Sequence, residues 1–404
     1  MPLLNLVVRQ RKRGAKKLVL PEKRLILAQL RFFCQPDGED EIGGLLSDGV
    51  DWGRYLDMCE AHGLEGAAYY VFRKLRLTGS LPAEVVDYLQ WKYYQIAARN
   101  IYLMDQLRRV VAAFEQAGLS LLPIKGASLL EAIYPSVGTR PMNDVDLLVK
   151  REQWPMAAKV LRRLGYSPLR WFPNLFSGNG VVLDVHFDLA GADRIRSRRY
   201  AVRIESDKLW AEAISSADSP AGRTLSETDT LLCLALHLQK HSFSRLIWFL
   251  DLALFLRQHQ HMDWPGVWNR AQEFNLTKAL YFVLCYLRSV FGLQLPRGME
   301  RALGAKPLNL AERRFLRALL AGEEMGLVGD ILLAFSANSP AGGLHLLAET
   351  AFPRRQIMSQ IYPLGGRYAL LWAYPYRSLK ILVEAFRLFS WFFKPMRPGE
   401  ALRE

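Results

Sequence analysis

The spacing of apolar and polar positions divides the chain into a helical stretch, a short mixed stretch and a second helical stretch. Apolar residues recur at three- and four-residue intervals over Glu22–Phe33, Asp51–Ala61, Ala67–Leu75 and Pro82–Ala117. That spacing lays them along one face of a helix. In the longest segment Leu103, Leu107, Val110, Val111 and Phe114 share such a face. Asp51, or the Ser47–Asp48 pair, supplies an N-cap for the second helix. The intervening QPDGEDEIGG, rich in glycine and acids, reads as a loop.

The period changes at Gly118. LSLLPI, ended by Lys125-Gly126, is a short apolar run that predicts a buried strand. Ala127–Ile133 predicts a short helix, Pro135–Asn143 a loop, and Val145–Val149 a second strand. Gln153–Leu164 is amphipathic and stops at Gly165, and Val181–Leu189 alternates as a third strand. Strand, helix, strand, helix, strand in so short a span describes a compact α/β unit. Helical periods return over Ser226–Ser242, Leu246–Gln258, Trp264–Glu273, Thr277–Phe291 and Leu310–Leu320, and Pro340–Gly343 breaks them. The expected class is α+β, a small mixed-sheet core flanked by N- and C-terminal helical subdomains. The expected organisation is a flexible basic arm (1–21), a helical subdomain (22–117), the α/β core (118–205), a second helical subdomain (206–350) and a basic aromatic tail (351–404).

Composition agrees with a folded chain: of 404 residues, half are hydrophobic and 23% are charged. The net charge of +14 directs attention to anionic partners, which include nucleotide phosphates, nucleic acid, anionic lipid and acidic glycans. A solvated basic surface satisfies the same count. Cys34, Cys59, Cys233 and Cys285 are far apart in apolar surroundings, without metal-ligand spacing, and fit free thiols in a reducing cytoplasm. The N-terminus lacks the order of a signal peptide. Lys380, Glu384, Arg387 and Ser390 interrupt the apolar stretch Leu379–Phe393, so no bilayer span is expected. The tail's aromatics mixed with Arg and Lys could lie on an anionic membrane surface. Packing on its own domain or on a partner protein is the plainer reading.

The chemistry concentrates in NDVDLLV. Asp144 and Asp146 are two apart at the start of a strand, so both carboxylates point to one face. Held close, they repel unless a cation lies between them, and Mg²⁺ takes carboxylates together with substrate phosphate. Asp184, inside the alternating VVLDVHFDL, would be a costly unpaired charge and is placed to be a third ligand. An Asp-x-Asp pair alone is more often a turn or a solvated edge. Upstream, Lys125-Gly126 ends a strand and opens a helix, whose first N–H groups can hold phosphate. Arg140, just before the acids, can reach a phosphate oxygen.

The run PIKGASLLEAIYPSVGTRPMNDVDLLV, with LGYSP, LDVHFDL and LALHLQKHSFSRLIWFLDLALFL downstream, resembles an uncharacterised bacterial nucleotidyltransferase family of the DNA polymerase β-like superfamily. The resemblance runs from about Trp52 to about Tyr376. It implies a polymerase β-like mixed-sheet core, two Mg²⁺ ions (with Mn²⁺ as a substitute) and a nucleoside triphosphate such as ATP. The reaction it implies is transfer of the nucleoside monophosphate to a hydroxyl of an acceptor. The superfamily pattern of a glycine turn, a helix, Asp-x-Asp and a later acid maps onto Gly126, Asp144, Asp146 and Asp184. Those three acids would be both metal ligands and catalytic groups. Lys125, Gly126, Ser128 and Arg140 would hold phosphate. The residue after the turn glycine is Ala127, where the pattern has Ser or Gly, and Ser128 comes one place later.

His186, His237, His241 and Arg245 are further residues of the expected cleft. His186 shares the strand face of Asp184, where a packed, hydrogen-bonded core histidine is the more ordinary reading. His237 and His241, four apart on a helix, lack the Glu of a zinc motif and fit packing or cleft lining. Arg245 and Asp251 suggest either a buried ion pair or groups facing the nucleotide. The acceptor is a small molecule, a glycan precursor or a protein. Two other readings stand beside this one: a member of the superfamily that acts on nucleic acid, and a nucleotide-binding protein without turnover.

Overall fold

The computed structural model describes residues 20–35, 39–170, 172–294, 308–323, 328–337, 339–362 and 369–393. The basic arm expected over residues 1–21 lies outside them except for Leu20 and Pro21, where the first helix begins.

Five helices come first: α1 (Pro21–Cys34), α2 (Glu39–Leu46), α3 (Trp52–His62), α4 (Glu65–Lys74) and α5 (Ala83–Gln116). Asp51 caps α3 by accepting from the Arg54 N–H at 3.0 Å. Helix α2 replaces most of the expected loop. Glu39, Asp40 and Glu41 occupy its first turn, where negative charge meets the positive end of the helix dipole, while Ile42 and Leu45 are buried.

The α/β core follows, with β1 (Leu121–Pro123), α6 (Gly126–Ile133), β2 (Val145–Val149), α7 (Trp154–Arg163), β3 (Ser167–Leu169), β4 (Phe172–Gly178) and β5 (Val181–His186). The sheet order is β1-β2-β5-β4-β3. β2 and β5 run parallel, and every other neighbouring pair is antiparallel. The sheet has two strands more than the pattern predicted, because β3 and β4 form a hairpin that leads into β5.

Beyond the core lie α8 (Ser206–Ala211), a small β6–β7 ribbon (Ile214–Ser215 and Arg223–Thr224), α9 (Glu227–Lys240), α10 (Leu246–Gln258), α11 (Trp264–Glu273) and α12 (Thr277–Phe291). They are followed by α13 (Leu310–Leu320), α14 (Val328–Phe335), α15 (Pro340–Ala351), α16 (Arg355–Ile361) and α17 (Ala369–Phe393). Among the described residues no helix is long and apolar enough to cross a membrane. One face of α17 docks: the Tyr374 hydroxyl donates to Pro353 O at 2.8 Å, and Arg377 Nε donates to Ala351 O at 3.1 Å. Trp372, Leu379 and Phe386 face outward and are exposed.

Helix α5 joins two apolar cores. Val85, Leu89 and Tyr93 of its first half pack in the helical core with α1, α4, α9, α10 and α12. Leu103, Leu107, Val110, Val111 and Phe114 of its second half pack against Val145, Leu147 and Leu183 of the sheet. Between the two halves α5 grips the loop between α6 and β2. Fully buried Asn100 donates to the carbonyls of Val137 and Arg140, both at 2.7 Å, and the hydroxyls of Tyr93 and Ser136 meet at 2.6 Å. Helix α4 closes on the same loop through glycine. A Cβ on Gly66 would stand 2.0 Å from the Gly138 carbonyl oxygen, so only glycine allows this approach.

Candidate active site

Parallel pairing of β2 with β5 sets Asp146 directly opposite Asp184 and Leu148 opposite His186. Side chains two apart on a strand share a face, so Asp146, Asp184 and His186 converge. His186 Nε2 is 2.8 Å from Asp146 Oδ1 and 3.3 Å from Asp184 Oδ2. Ligand-type atoms of these three residues lie within 4.8 Å of one another. Asp144 is not in this mutually close set, although it lines the same cavity. The acids expected to converge were Asp144, Asp146 and Asp184. The structure brings the latter two together with His186.

Two cations balance the pair. Lys125 Nζ is 2.5 Å from Asp146 Oδ1 and 3.3 Å from His186 Nε2, and Arg194 forms an ion pair with Asp184. Burial works against each charge, but the partners prevail. Asp146 is drawn well below the usual carboxylate range by Lys125 and His186, and Asp184 is lowered by His186 and Arg194. Burial likewise opposes the Lys125 charge, yet Asp146 and Asp184 hold its ammonium above the ordinary lysine value. Asp144 makes no hydrogen bond or ion pair among the described residues. Burial, and then the neighbouring Asp146 charge, push it up from 3.8 to about 6.

Local backbone explains how Lys125 reaches the acids. Ile124 N–H donates to Asp146 O at 3.1 Å, extending the β1–β2 pairing, and the chain then turns at Lys125 with φ +53° and ψ −129°. That conformation suits glycine and costs a lysine strain energy. The turn therefore falls on Lys125 rather than on Gly126. Gly126 serves a different purpose: a Cβ there would stand 2.4 Å from Arg140 Nη1.

Arg140 is held from behind. Its Nε and Nη2 donate to the two oxygens of Asp251 at 2.7 and 2.8 Å, and the Tyr134 hydroxyl adds a bond to Oδ1 at 2.5 Å. Asp251 thus pairs with Arg140, not with Arg245. The Ser128 hydroxyl donates to Lys125 O at 2.9 Å, and Ser128 lines a separate pocket beside β6 and β7.

A cavity of 370 Å³ opens over the acids. His237, His241 and Arg245 line it together with His186. The imidazoles of His237 and His241, the latter just past the end of α9, pack against each other and against Trp248, with ring centroids 4.6 to 5.0 Å apart. Burial foremost, then nearby cations, keeps both neutral: His237 is lowered, and His241 is brought down to about 4. Arg245 rests over Trp248, and its buried Nε has no hydrogen-bond partner.

Three cationic residues of the lining were not among the site residues expected from the sequence: Arg194, Arg198 and Lys240. The arginines follow β5 in a run, ADRIRSRR, that reads as a solvated charge cluster. Lys240 lies three residues after His237, on the same face of α9, and that spacing is the one available hint.

A family model described as uncharacterised nucleotidyltransferase matches residues 48–292, more than half of the chain. Its match stops short of Tyr376, where the resemblance in the sequence was expected to end. No curated protein and no solved structure matches the chain.

Proposed function

We propose that this chain, which belongs to the uncharacterised nucleotidyltransferase family, moves a nucleoside monophosphate from a nucleoside triphosphate to a hydroxyl of an acceptor, with Mg²⁺ or Mn²⁺ in attendance. The observation that carries this reading is the pairing of Asp146 with Asp184 across parallel strands, at the floor of a cavity rich in cationic groups.

The donor set suits such an ion. Carboxylate oxygens are the ligands Mg²⁺ and Mn²⁺ prefer, and an imidazole nitrogen among them is better tolerated by Mn²⁺. Asp146 and Asp184 would hold it, with His186 within the same reach and Asp144 available from the cavity wall. When bound, the ion supplies charge neutralisation at the reacting phosphate and lowers the pKa of a bound hydroxyl.

The chain's own groups do the rest. The acceptor oxygen bonds to the α-phosphorus, the bond from that phosphorus to the β-bridging oxygen breaks, and pyrophosphate leaves. Asp184 takes the hydroxyl proton, and His186, whose Nε2 is 3.3 Å from Asp184 Oδ2, orients that carboxylate. Leading N–H groups of α6 and Nη1 of Arg140 stabilise the departing phosphates. Lys125 releases Asp146 and turns to the same oxygens.

A labelled nucleoside triphosphate, incubated with Mn²⁺ or Mg²⁺ and a fractionated small-molecule extract, should pass its label to a product with release of pyrophosphate. Undiminished transfer by the Asp146→Asn protein would overturn the assignment.

A further inference from the structure

The acids divide the cavity into two ends, and the topology says which is which. Gly126 and Arg140 stand on the β1 side of Asp146, at the start of α6. On the other side, past Asp184, the chain leaving β5 forms the turn Asp188–Ala192. Asp188 Oδ1 accepts there from the N–H groups of Gly191 and Ala192 at 2.6 and 3.1 Å. Gly191 takes φ +71°. A Cβ built on it would stand 3.3 Å from Lys240 Nζ and 3.5 Å from Arg198 Nη1, so the bare glycine leaves room in front of two cations at once.

One of those cations is poorly neutralised. Lys240 Nζ donates to Leu189 O at 3.3 Å and has no acidic partner among the described residues. Arg198 is buried. Its Nη1 lies 3.4 Å from Ala190 O, its Nη2 pairs with Asp330 at 3.2 Å, and its Nε is buried without a hydrogen-bond partner. Burial first, and then the charges of Arg198 and Lys125, pull the Lys240 ammonium down to about 7. Two cations held together in a cleft, with Asp330 paired to Arg198 and no ion pair for Lys240 among the described residues, form a site that an anion completes.

Resting on the transfer reading above, we infer that Lys240, Arg198 and the Gly191 turn form a second anion subsite, separate from the one for the triphosphate, that takes the phosphate of a phosphomonoester acceptor. The acceptor is then a small phosphorylated alcohol whose free hydroxyl lies toward Asp184. A cavity of 370 Å³ lies at the low end of the range for small-molecule sites, which favours a small acceptor over a folded polymer. A dianionic phosphate matches two adjacent cations, one of them an arginine fork, better than a carboxylate does.

The test uses the full chain and inorganic phosphate as the probe, titrated calorimetrically with and without saturating Mg²⁺ and a non-hydrolysable α,β-methylene nucleotide. The expected result is one phosphate that still binds with the analogue present, with an affinity within about threefold of its nucleotide-free value. Lys240→Met should weaken phosphate by about tenfold or more and leave the analogue within about threefold. Lys240→Arg, which keeps the charge, should retain phosphate, and circular dichroism of both variants checks folding. The inference is overturned if phosphate does not bind, if the analogue displaces it, or if Lys240→Met weakens the analogue equally. An analogue that fails to bind anywhere sinks the transfer reading instead, and the nucleotide-free phosphate titration with its variants still decides the subsite.

Discussion

Arg140 and Asp251, 111 residues apart in sequence, form a buried two-pronged ion pair that ties the loop before the acidic strand to helix α10. One guanidinium edge is consumed by the pair, and the remaining nitrogen, Nη1, is left beside Gly126. Removing one partner of a buried pair strands the other charge. Asp251→Asn should therefore destabilise the protein by about 3–5 kcal/mol in urea unfolding, and the double replacement Arg140→Met with Asp251→Leu should recover much of that loss. A double variant no more stable than the single one would show that the pair contributes through contacts other than charge.

Replacing Asp146 or Asp184 by Asn keeps size and strand register but removes the charge on which the paired strands converge. Each change should lower kcat for transfer by about a hundredfold or more, with circular dichroism unchanged. Loss from one and not the other would assign the metal to a single carboxylate.

Asp144 gives a pH signature. Its folded pKa of about 6 lies above the ordinary 3.8, so the folded chain binds the extra proton between those values. The contribution of this group is fully favourable below pH 3.8 and is lost as pH rises through 6. Asp144→Asn should raise the melting temperature of the metal-free protein at pH 7.5, with a gain that shrinks toward pH 5, while abolishing transfer. A gain independent of pH would place the effect elsewhere.

The strained turn at Lys125 separates backbone from side chain. Both Lys125→Ala and Lys125→Gly delete the ammonium beside Asp146, but only glycine accepts φ +53° freely. The glycine variant should be the more stable of the two by about 1 kcal/mol or more. Equal stabilities would mean that the turn relaxes when the ammonium is absent.

Lys240 adds a proton balance to the proposed phosphate subsite. It is surrounded by Arg198, Lys125, Cys233 and Asp188, and is half neutral at about pH 7. A bound dianion raises that value, so phosphate binding at pH 8 should take up a proton, and affinity should fall as pH rises further. Calorimetry in two buffers of different ionisation enthalpy reads the uptake directly, and Lys240→Arg should abolish it.

Much of the site was legible because strand alternation is local. Asp144 and Asp146 sit two apart, Asp184 and His186 likewise, and α10, α11 and α12 were read to the residue from their apolar periods. What the chain did not disclose is long-range or conformational. The β3–β4 hairpin hides in short segments broken by Pro168, Pro173 and Asn174, where alternation is weak. The pairing that puts Asp146 opposite Asp184 depends on that hairpin. A lysine in a left-handed turn has no pattern, because nothing in IKGAS distinguishes strain on Lys125 from the usual turn on glycine. His186 is buried and hydrogen-bonded, as the core-histidine reading has it, but its partner Asp146 lies on the neighbouring strand, which the local pattern does not disclose. Arg198 and Lys240 became neighbours only when α9 folded across the end of β5.

The glycine contact between α4 and the 135–143 loop bears on how the cleft can move. Gly66 meets the carbonyl of Gly138 with main chain against main chain, and no side chain lies between them whose rotation could lengthen the distance. Asn100 and Tyr93 of α5 fasten the same loop from beneath. The wall carrying Arg140 and leading to Asp144 is thus tied to α4 and to the long helix α5 behind it. A methyl group at position 66, far from any reacting atom, would force the loop away from α4 and carry Arg140 and the approach to Asp144 with it.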